Sequence, residues 1–370
     1  LIGHPALAFF QQVVGLPLDF EFFNVESDPI ESDSWALFGE GYFDLTDQLR
    51  LTVGLRHTQD EKSVRTRQQF LTFVDPAWIT AEDDWNVTTG KVSLDYSVND
   101  NSLLYGTLAR GYKAGGLNPG GPQGGLLFEP EFINVIEVGS KNLFLNGRLR
   151  ANVGAFYYDY EDLQIGQVSE TSAVTVNADA TVIGAEAELT YAATDAFLID
   201  LGISLLDVEL DEFQSADEGD PNAIAPTARP ALDDNGVVRV TDSGNVIQNL
   251  EGNTLRNAPN SSLKLGLEYT FALGPDYDLT ARADHFWQDK YFANEFNKPS
   301  DRIGSWSQTD AQLTLRKRDA NWLLKLFSKN VFDSADVIRR GQDGPLVGRF
   351  RSVNVLEPRT VGLELQVSFD

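Results

Sequence analysis

The sequence predicts an all-β protein, an antiparallel transmembrane β-barrel of which about 13–14 strands are present. Three observations carry that prediction. Apolar and polar residues alternate in segment after segment from Ser34 to the C-terminus, and helical periodicity is nearly absent. Most segments exceed the about 5–6 residues of a globular strand and reach the about 9–11 that a barrel span needs. The connections, finally, alternate short and long, which puts tight turns at one end and extended loops at the other.

The elements follow in order. Alternation covers 34–45, 48–60, 85–98, 102–112, 132–144, 148–163, 175–192 and 196–210. It resumes at 261–272, 278–292, 305–317, 321–332 and 358–369. Tight turns are expected at Thr46-Asp47, Asn99-Asp100, Asn146-Gly147, Thr194-Asp195, Gly274-Pro275-Asp276 and Asp319-Ala320. The long connections are 61–84, 113–131, 164–174, 211–260, 293–304 and 333–357. Aromatics crowd the strand ends: Tyr42 and Phe43, Tyr96, Tyr157 with Tyr158 and Tyr160, Tyr191, Tyr269 with Phe271, Tyr291 with Phe292, Trp322 and Phe369. Girdles of this kind mark both interfaces of membrane barrels, although any one pair also suits a soluble sheet. In the closing RTVGLELQVSFD, Val361, Leu363, Leu365 and Val367 are expected to face lipid, with Glu364 and Gln366 facing a wet lumen.

Composition narrows the function. Lys+Arg of 29 against Asp+Glu of 55 gives a formal charge of −26, which repels nucleic acid. Cysteine is absent, so thiolate chemistry and cysteine metal sites are excluded. No run of about 18 apolar residues offers a membrane helix.

An enzyme lacks its parts here. His4, His57 and His285 are far apart in sequence and form no metal-binding spacing. The glycine-rich stretch Gly111–Gly125 lacks a strand–phosphate loop–helix setting and reads as an extracellular loop. Glu186/Glu188 and Glu209/Asp211 share strand faces, but nothing distinguishes an acid from a base.

The order and spacing of several segments resemble the barrel of TonB-dependent outer-membrane receptors of the iron-complex (siderophore) type. They are WALFGEGYFDLTDQLRLTVGLRHTQDEK, LLYGTLARGYKAGGLNP, FEPEFINVIEVGSKNLFLNGRLRANVGAFYYDYEDLQ, NADATVIGAEAEL, EGNTLRNAPNSSLKLGLEYTF, SKNVFDSADV and PRTVGLELQVSF. The resemblance covers essentially everything from residue 34. It implies a 22-stranded barrel with an N-terminal plug and an outer-membrane location in a Gram-negative bacterium. It also implies energising by the TonB–ExbB–ExbD complex through the N-terminal region, and uptake of a scarce ligand, first of all a ferric siderophore. No plug and no TonB-binding motif is found in the sequence, so residues 34–370 are expected to be the C-terminal part of the barrel. Residues 1–33 are expected to form an extracellular loop, with Ala6–Val14 either the end of a preceding strand or a fourteenth span. The final strand implies recognition by the barrel-assembly machinery, and the family usually ends on the aromatic that here precedes Asp370. A passive fourteen-stranded diffusion channel and a soluble all-β binding module stay open.

No resident cofactor is expected, a ferric siderophore entering only as ligand. The basic loop DVIRRGQDGPLVGRFRSVN carries Arg339, Arg340, Arg349 and Arg351 around Phe350, a donor set suited to an anionic ligand. Lipopolysaccharide contacts and pairing with acidic loops compete for the same arginines. Trp78, Phe128, Phe213, Phe296 and Trp306 are further loop candidates, each equally able to pack its own loop. Asp233, Asp234 and Asn235 offer oxygens to Ca²⁺, whereas Asn235-Gly236 reads as a type I′ hairpin turn.

Overall fold

The computed structural model describes residues 23–70, 77–119, 125–169, 172–220, 224–241, 244–318, 321–344 and 348–368. Fourteen strands form one antiparallel sheet. They are β1 (Phe23–Ser27), β2 (Glu31–Asp44), β3 (Leu49–Phe70), β4 (Ile79–Asn99), β5 (Ser102–Lys113), β6 (Glu131–Phe144) and β7 (Leu149–Ser169). The second half comprises β8 (Ser172–Ala192), β9 (Phe197–Glu212), β10 (Ser261–Leu273), β11 (Tyr277–Gln288), β12 (Trp306–Lys317), β13 (Trp322–Lys329) and β14 (Thr360–Val367). Each strand pairs with its neighbour in sequence, save that β1 and β2 both pair with β3. β1 meets Thr66–Phe70 and β2 meets Arg50–Ser63, so the two are one span interrupted at Asp28-Pro29-Ile30. All thirteen expected segments are therefore strands of one ladder. Ala6–Val14, Phe369, Asp370 and the turn at Asp319-Ala320 lie outside the described residues.

Register sorts the side chains into two faces. Val53, Val92, Leu108, Ile136, Tyr157 and Ile183 stand in one cross-strand row. Their face is apolar and open: Leu55, Leu108, Val138, Ile183, Leu205, Leu363 and Leu365 are all exposed. The opposite face carries the ions. Lys91 pairs with Glu40 at 2.6 Å, Lys325 with Glu364 at 2.5 Å, and Arg282 reaches Asp200, Glu268 and Asp284 at 3.0, 3.5 and 2.6 Å. A soluble sheet does the reverse, burying its apolar face and solvating its ions. β14 follows the expected alternation, with Leu365 paired to Leu324 on the apolar face and Glu364 to Lys325 on the other.

Three expectations change. The connections 61–84 and 164–174 are mostly strand, since β3 and β4 run to Phe70 and from Ile79, and β7 and β8 to Ser169 and from Ser172. Polar composition read as loop, but ladder pairing needs backbone, not apolar side chains. A small cluster of Val64, Ala81 and Leu117 supports the β3–β4 extension. The described part of 1–33 is likewise strand at β1 and the start of β2. The aromatic girdle is also thinner than expected from position alone: Phe43, Tyr96, Tyr191, Tyr269, Phe271 and Trp322 share the apolar face. Tyr42, Tyr158 and Tyr160 alternate to the other face, because neighbours on a strand cannot share one.

The faces make a direct prediction. Leu267, midway along β10 on the apolar face, changed to Arg should lose about 2–4 kcal/mol, the penalty for a charge facing lipid near the midplane. Lys264→Gln on the opposite face should change stability by less than about 1 kcal/mol. Unfolding of the refolded barrel in lipid vesicles with denaturant checks both.

Candidate functional site

The strand ends between β5 and β6, β9 and β10, β11 and β12, and β13 and β14 carry the long connections, all at one end of the sheet. Three of these pack against each other. The described residues of 213–260 cover the tops of β8 and β9, burying Phe213, Ala225 and Leu250 against Ile165, Ala178, Ala180 and Leu210. Phe296, from the β11–β12 connection, joins the same cluster. Two short strands, Val337–Gln342 and Arg351–Val355, pair as a hairpin in the β13–β14 connection.

Ion pairs lock these loops together. Lys298, almost fully buried, donates to Asp217 at 2.6 Å and to the Asp220 carbonyl at 3.1 Å. Asp217 also accepts from the backbone N–H groups of Gly219 and Asp220. Arg256 binds the buried Glu295 through both carboxylate oxygens and donates to the Gly166 carbonyl at 2.6 Å. From the hairpin, Arg349 donates to the Glu218 carbonyl at 2.7 Å, while Arg351 lies 3.4 Å from both Asp220 and Asp301. Tyr291 donates to the Ile338 carbonyl at 2.6 Å, and burial raises the pKa of its hydroxyl.

Between the loops lies a cavity of about 390 Å³. Arg256, Arg339, Arg340 and Arg351 line it alongside Asp217, Glu218, Glu295, Asp301 and Asp343. Three polar atoms of this lining are buried without a hydrogen-bond partner among the described residues: Arg340 Nε, Gln342 Nε2 and Asp301 Oδ2. Unmade hydrogen bonds of buried groups cost about 1–3 kcal/mol each, so such atoms mark a place where a partner belongs. The Gln342 amide sits so close over Gly219 that a Cβ there would overlap it.

The sequence candidates divide accordingly. Arg339, Arg340, Arg351 and Phe296 do reach one cavity, and Arg349 stands beside it holding Glu218. Arg349 and Arg351 are engaged by the acidic loop, the competing reading in the sequence. Phe350 projects from the hairpin tip, exposed and outside the cavity lining. Phe296 and Phe213 are core residues of the loops. Trp78 is held between the guanidinium groups of Arg65 and Arg67 at 4.6 and 4.7 Å, and so packs its own hairpin. Phe128 pairs with Gly116, where a Cβ would strike its ring, and Trp306 packs on Phe286 at 5.1 Å. Gln342, Asp301 and Arg256 were missed by sequence reasoning, because no local pattern sets three distant loops beside one another.

The Asp233 loop closes as a hairpin, the reading the sequence favours. Leu232 bridges Val238, and the Asp233 carboxylate accepts from the N–H groups of Asn235 and Val237. The Val237 bond, the largest cause, holds the Asp233 carboxyl below its ordinary pKa. The carboxylate is thus used to close the turn. Nor is the turn type I′: only Gly236 has positive φ, at +78°, as in a three-residue type I turn with a glycine bulge. Among the described residues no group of three or more His, Cys, Asp or Glu could hold a metal ion. His57 and His285 instead contact Thr88 and Thr309 across the strands, at 3.0 and 2.8 Å.

The lock has a measurable strength. Lys298→Met strands the buried Asp217 charge and should destabilise the loop assembly by about 3–5 kcal/mol. Lys298→Met with Asp217→Asn should recover most of that loss. Limited proteolysis within 213–260 on intact barrels reads both.

Comparison with known proteins places this architecture. The chain resembles the ferric yersiniabactin uptake receptor FyuA from Yersinia pestis, with 17% identity and a TM-score of 0.73 over 94% of this chain and 47% of that one. The siderophore receptor PiuA from Acinetobacter baumannii aligns with 19% identity and a TM-score of 0.66, over 91% and 43%. The copper transporter OprC aligns with 17% identity and a TM-score of 0.63, over 92% and 48%. The chain thus spans less than half the length of each of these structures. A family model described as TonB dependent receptor-like, beta-barrel matches residues 9–331. With that match over most of its length, the chain belongs to the TonB-dependent receptor β-barrel family of the Gram-negative outer membrane.

Proposed function

We propose that the chain forms the C-terminal part of a receptor that captures a ferric siderophore at the cell surface for TonB-energised uptake. The observation that carries this reading is the loop cavity where, among the described residues, Arg340 Nε, Gln342 Nε2 and Asp301 Oδ2 have no hydrogen-bond partner. Two donors and one acceptor, set among charges of both signs, suit an oxygen-rich anionic chelate that also carries hydroxyl or amine hydrogens. The volume lies within the about 300–1,000 Å³ of small-molecule sites. No catalytic step is required: binding, release into the lumen and energised passage complete the function.

The lumen supports passage. Along its wall Arg282 sits among three carboxylates, and Glu137 accepts from the Tyr105 hydroxyl at 2.7 Å. Such a polar surface lets a hydrated solute move without desolvation. FyuA, a ferric yersiniabactin uptake receptor, and PiuA, a siderophore receptor, support the ligand class, and the copper transporter OprC keeps a metal complex of another kind as an outcome of the test.

In the full-length receptor, Arg340→Ala and Asp301→Asn should each weaken ferric-siderophore binding about tenfold or more, the equivalent of about 1.4 kcal/mol. Binding is read by titration with a panel of ferric siderophores on isolated outer membranes. Unchanged affinity in both variants would remove the cavity from the site. Dissipating the proton gradient in cells should stop uptake and leave binding intact; uptake that persists would refute energy coupling.

A further inference from the structure

The loop cavity has a charge balance that ligand capture does not by itself require. Of the charged residues that line it, four are arginines and five are carboxylates. Lys298, buried on Asp217, brings the cations level, and Asp220 adds one more carboxylate on Arg351. The cavity therefore holds no surplus of positive charge, in a chain whose formal charge is −26. A ligand whose charges are all negative gains no net attraction there and is repelled at long range.

Asp301 makes the balance specific. It ends the short 3₁₀ turn Pro299–Asp301, and its side chain is only 6% exposed. Its Oδ1 stands 3.4 Å from Arg351 Nη1, longer than the about 2.7–2.9 Å of a charge-assisted hydrogen bond. Arg351 is divided, because its Nη2 lies at the same 3.4 Å from Asp220. Asp301 Oδ2 has no hydrogen-bond partner among the described residues. A carboxylate so buried and so weakly paired calls for a donor, and a cationic donor answers it best. A bare metal ion does not, since no group of three metal-binding side chains stands there among the described residues. The strand Val337–Gln342 makes the opposite demand: Arg340 Nε and Gln342 Nε2 are donors in need of acceptors.

We propose that the ligand is a zwitterionic chelate, with its iron-binding oxygens toward Arg340 and Gln342 and a protonated amine on Asp301. This assignment rests on the receptor function proposed above and names the charge class of its ligand. An ammonium group carries three donors and no acceptor, so it meets Asp301 Oδ2 without a competing lone pair. Asp301 is thereby the residue that selects amine-bearing chelates over those with negative charge alone.

The test uses the full-length receptor in isolated outer membranes and matched pairs of ferric chelates. Each pair, built on a hydroxamate, a hydroxycarboxylate or a phenolate scaffold, differs only in a pendant primary amine, free in one member and acetylated in the other. On at least one scaffold the free amine should bind at least tenfold more tightly than its acetylated form. Asp301→Asn should abolish that preference by weakening the free amine alone. A ferric tris-catecholate without an amine should bind wild type no better than the acetylated forms. The wild-type comparison stands by itself if the variant does not reach the membrane. Equal binding of both members on every scaffold, a preference that survives in Asp301→Asn, or tighter binding of the tris-catecholate would overturn the proposal and leave the receptor function in place. Binding of no ferric chelate at all would overturn both.

Discussion

The rest of the structure depends on one constraint: inside hydrocarbon every backbone N–H and C=O must find a partner in the protein. The single antiparallel ladder answers that demand by pairing each strand from β3 to β14 with its sequence neighbour, with β1 and β2 as one interrupted span against β3. Because the ladder supplies the hydrogen bonds, side chains are released from holding the fold and can be sorted by solvent. Leucine, valine and isoleucine then face lipid, and Arg282, Lys91 and Lys325 with their carboxylates face the lumen. The two edges, β1 with β2 at one and β14 at the other, each have a neighbour on one side only among the described strands. In a membrane such edges need a pairing strand.

Above the membrane the constraint relaxes, and the loops use different physics. Their core is small, centred on Leu210, Leu250 and Ala180, and charge supplies much of the specificity. Buried pairs such as Lys298–Asp217 contribute little net stability relative to apolar packing, but either partner alone is costly. Pairing therefore fixes which loop meets which. That arrangement holds three loops in register while Arg340 Nε, Gln342 Nε2 and Asp301 Oδ2 stay without a hydrogen-bond partner among the described residues.

The same residue types thus serve three purposes in three solvents. Arg282 is balanced in the wet lumen, Arg351 is a tie between loops, and Arg110 faces outward on the apolar face, held by Glu161. Their chemistry is equal; only the face and the height on the strand differ.

How far this was legible follows from what each feature depends on. Period-two alternation is a local property, so all thirteen spans, the two faces of β14 and the end that carries the loops could be read directly from residues 34–370. The extensions of β3, β4, β7 and β8 could not, because beyond the membrane polarity no longer separates strand from loop. The turn at Asp233 was legible as a hairpin, but its type depended on which residue took positive φ. At the site, the sequence offered a basic loop and several aromatics. It offered acidic-loop pairing for these arginines and loop packing for the aromatics as competing readings, but could not tell that Arg349 and Arg351 would meet residues 218–220, or that Phe296 would be buried in a shared core. Those outcomes rest on contacts between residues more than a hundred positions apart, as between Arg349 and Glu218. Alternation along the chain determined the barrel by itself; only the tertiary structure, by setting distant loops against each other, decided which loop charges pair with one another.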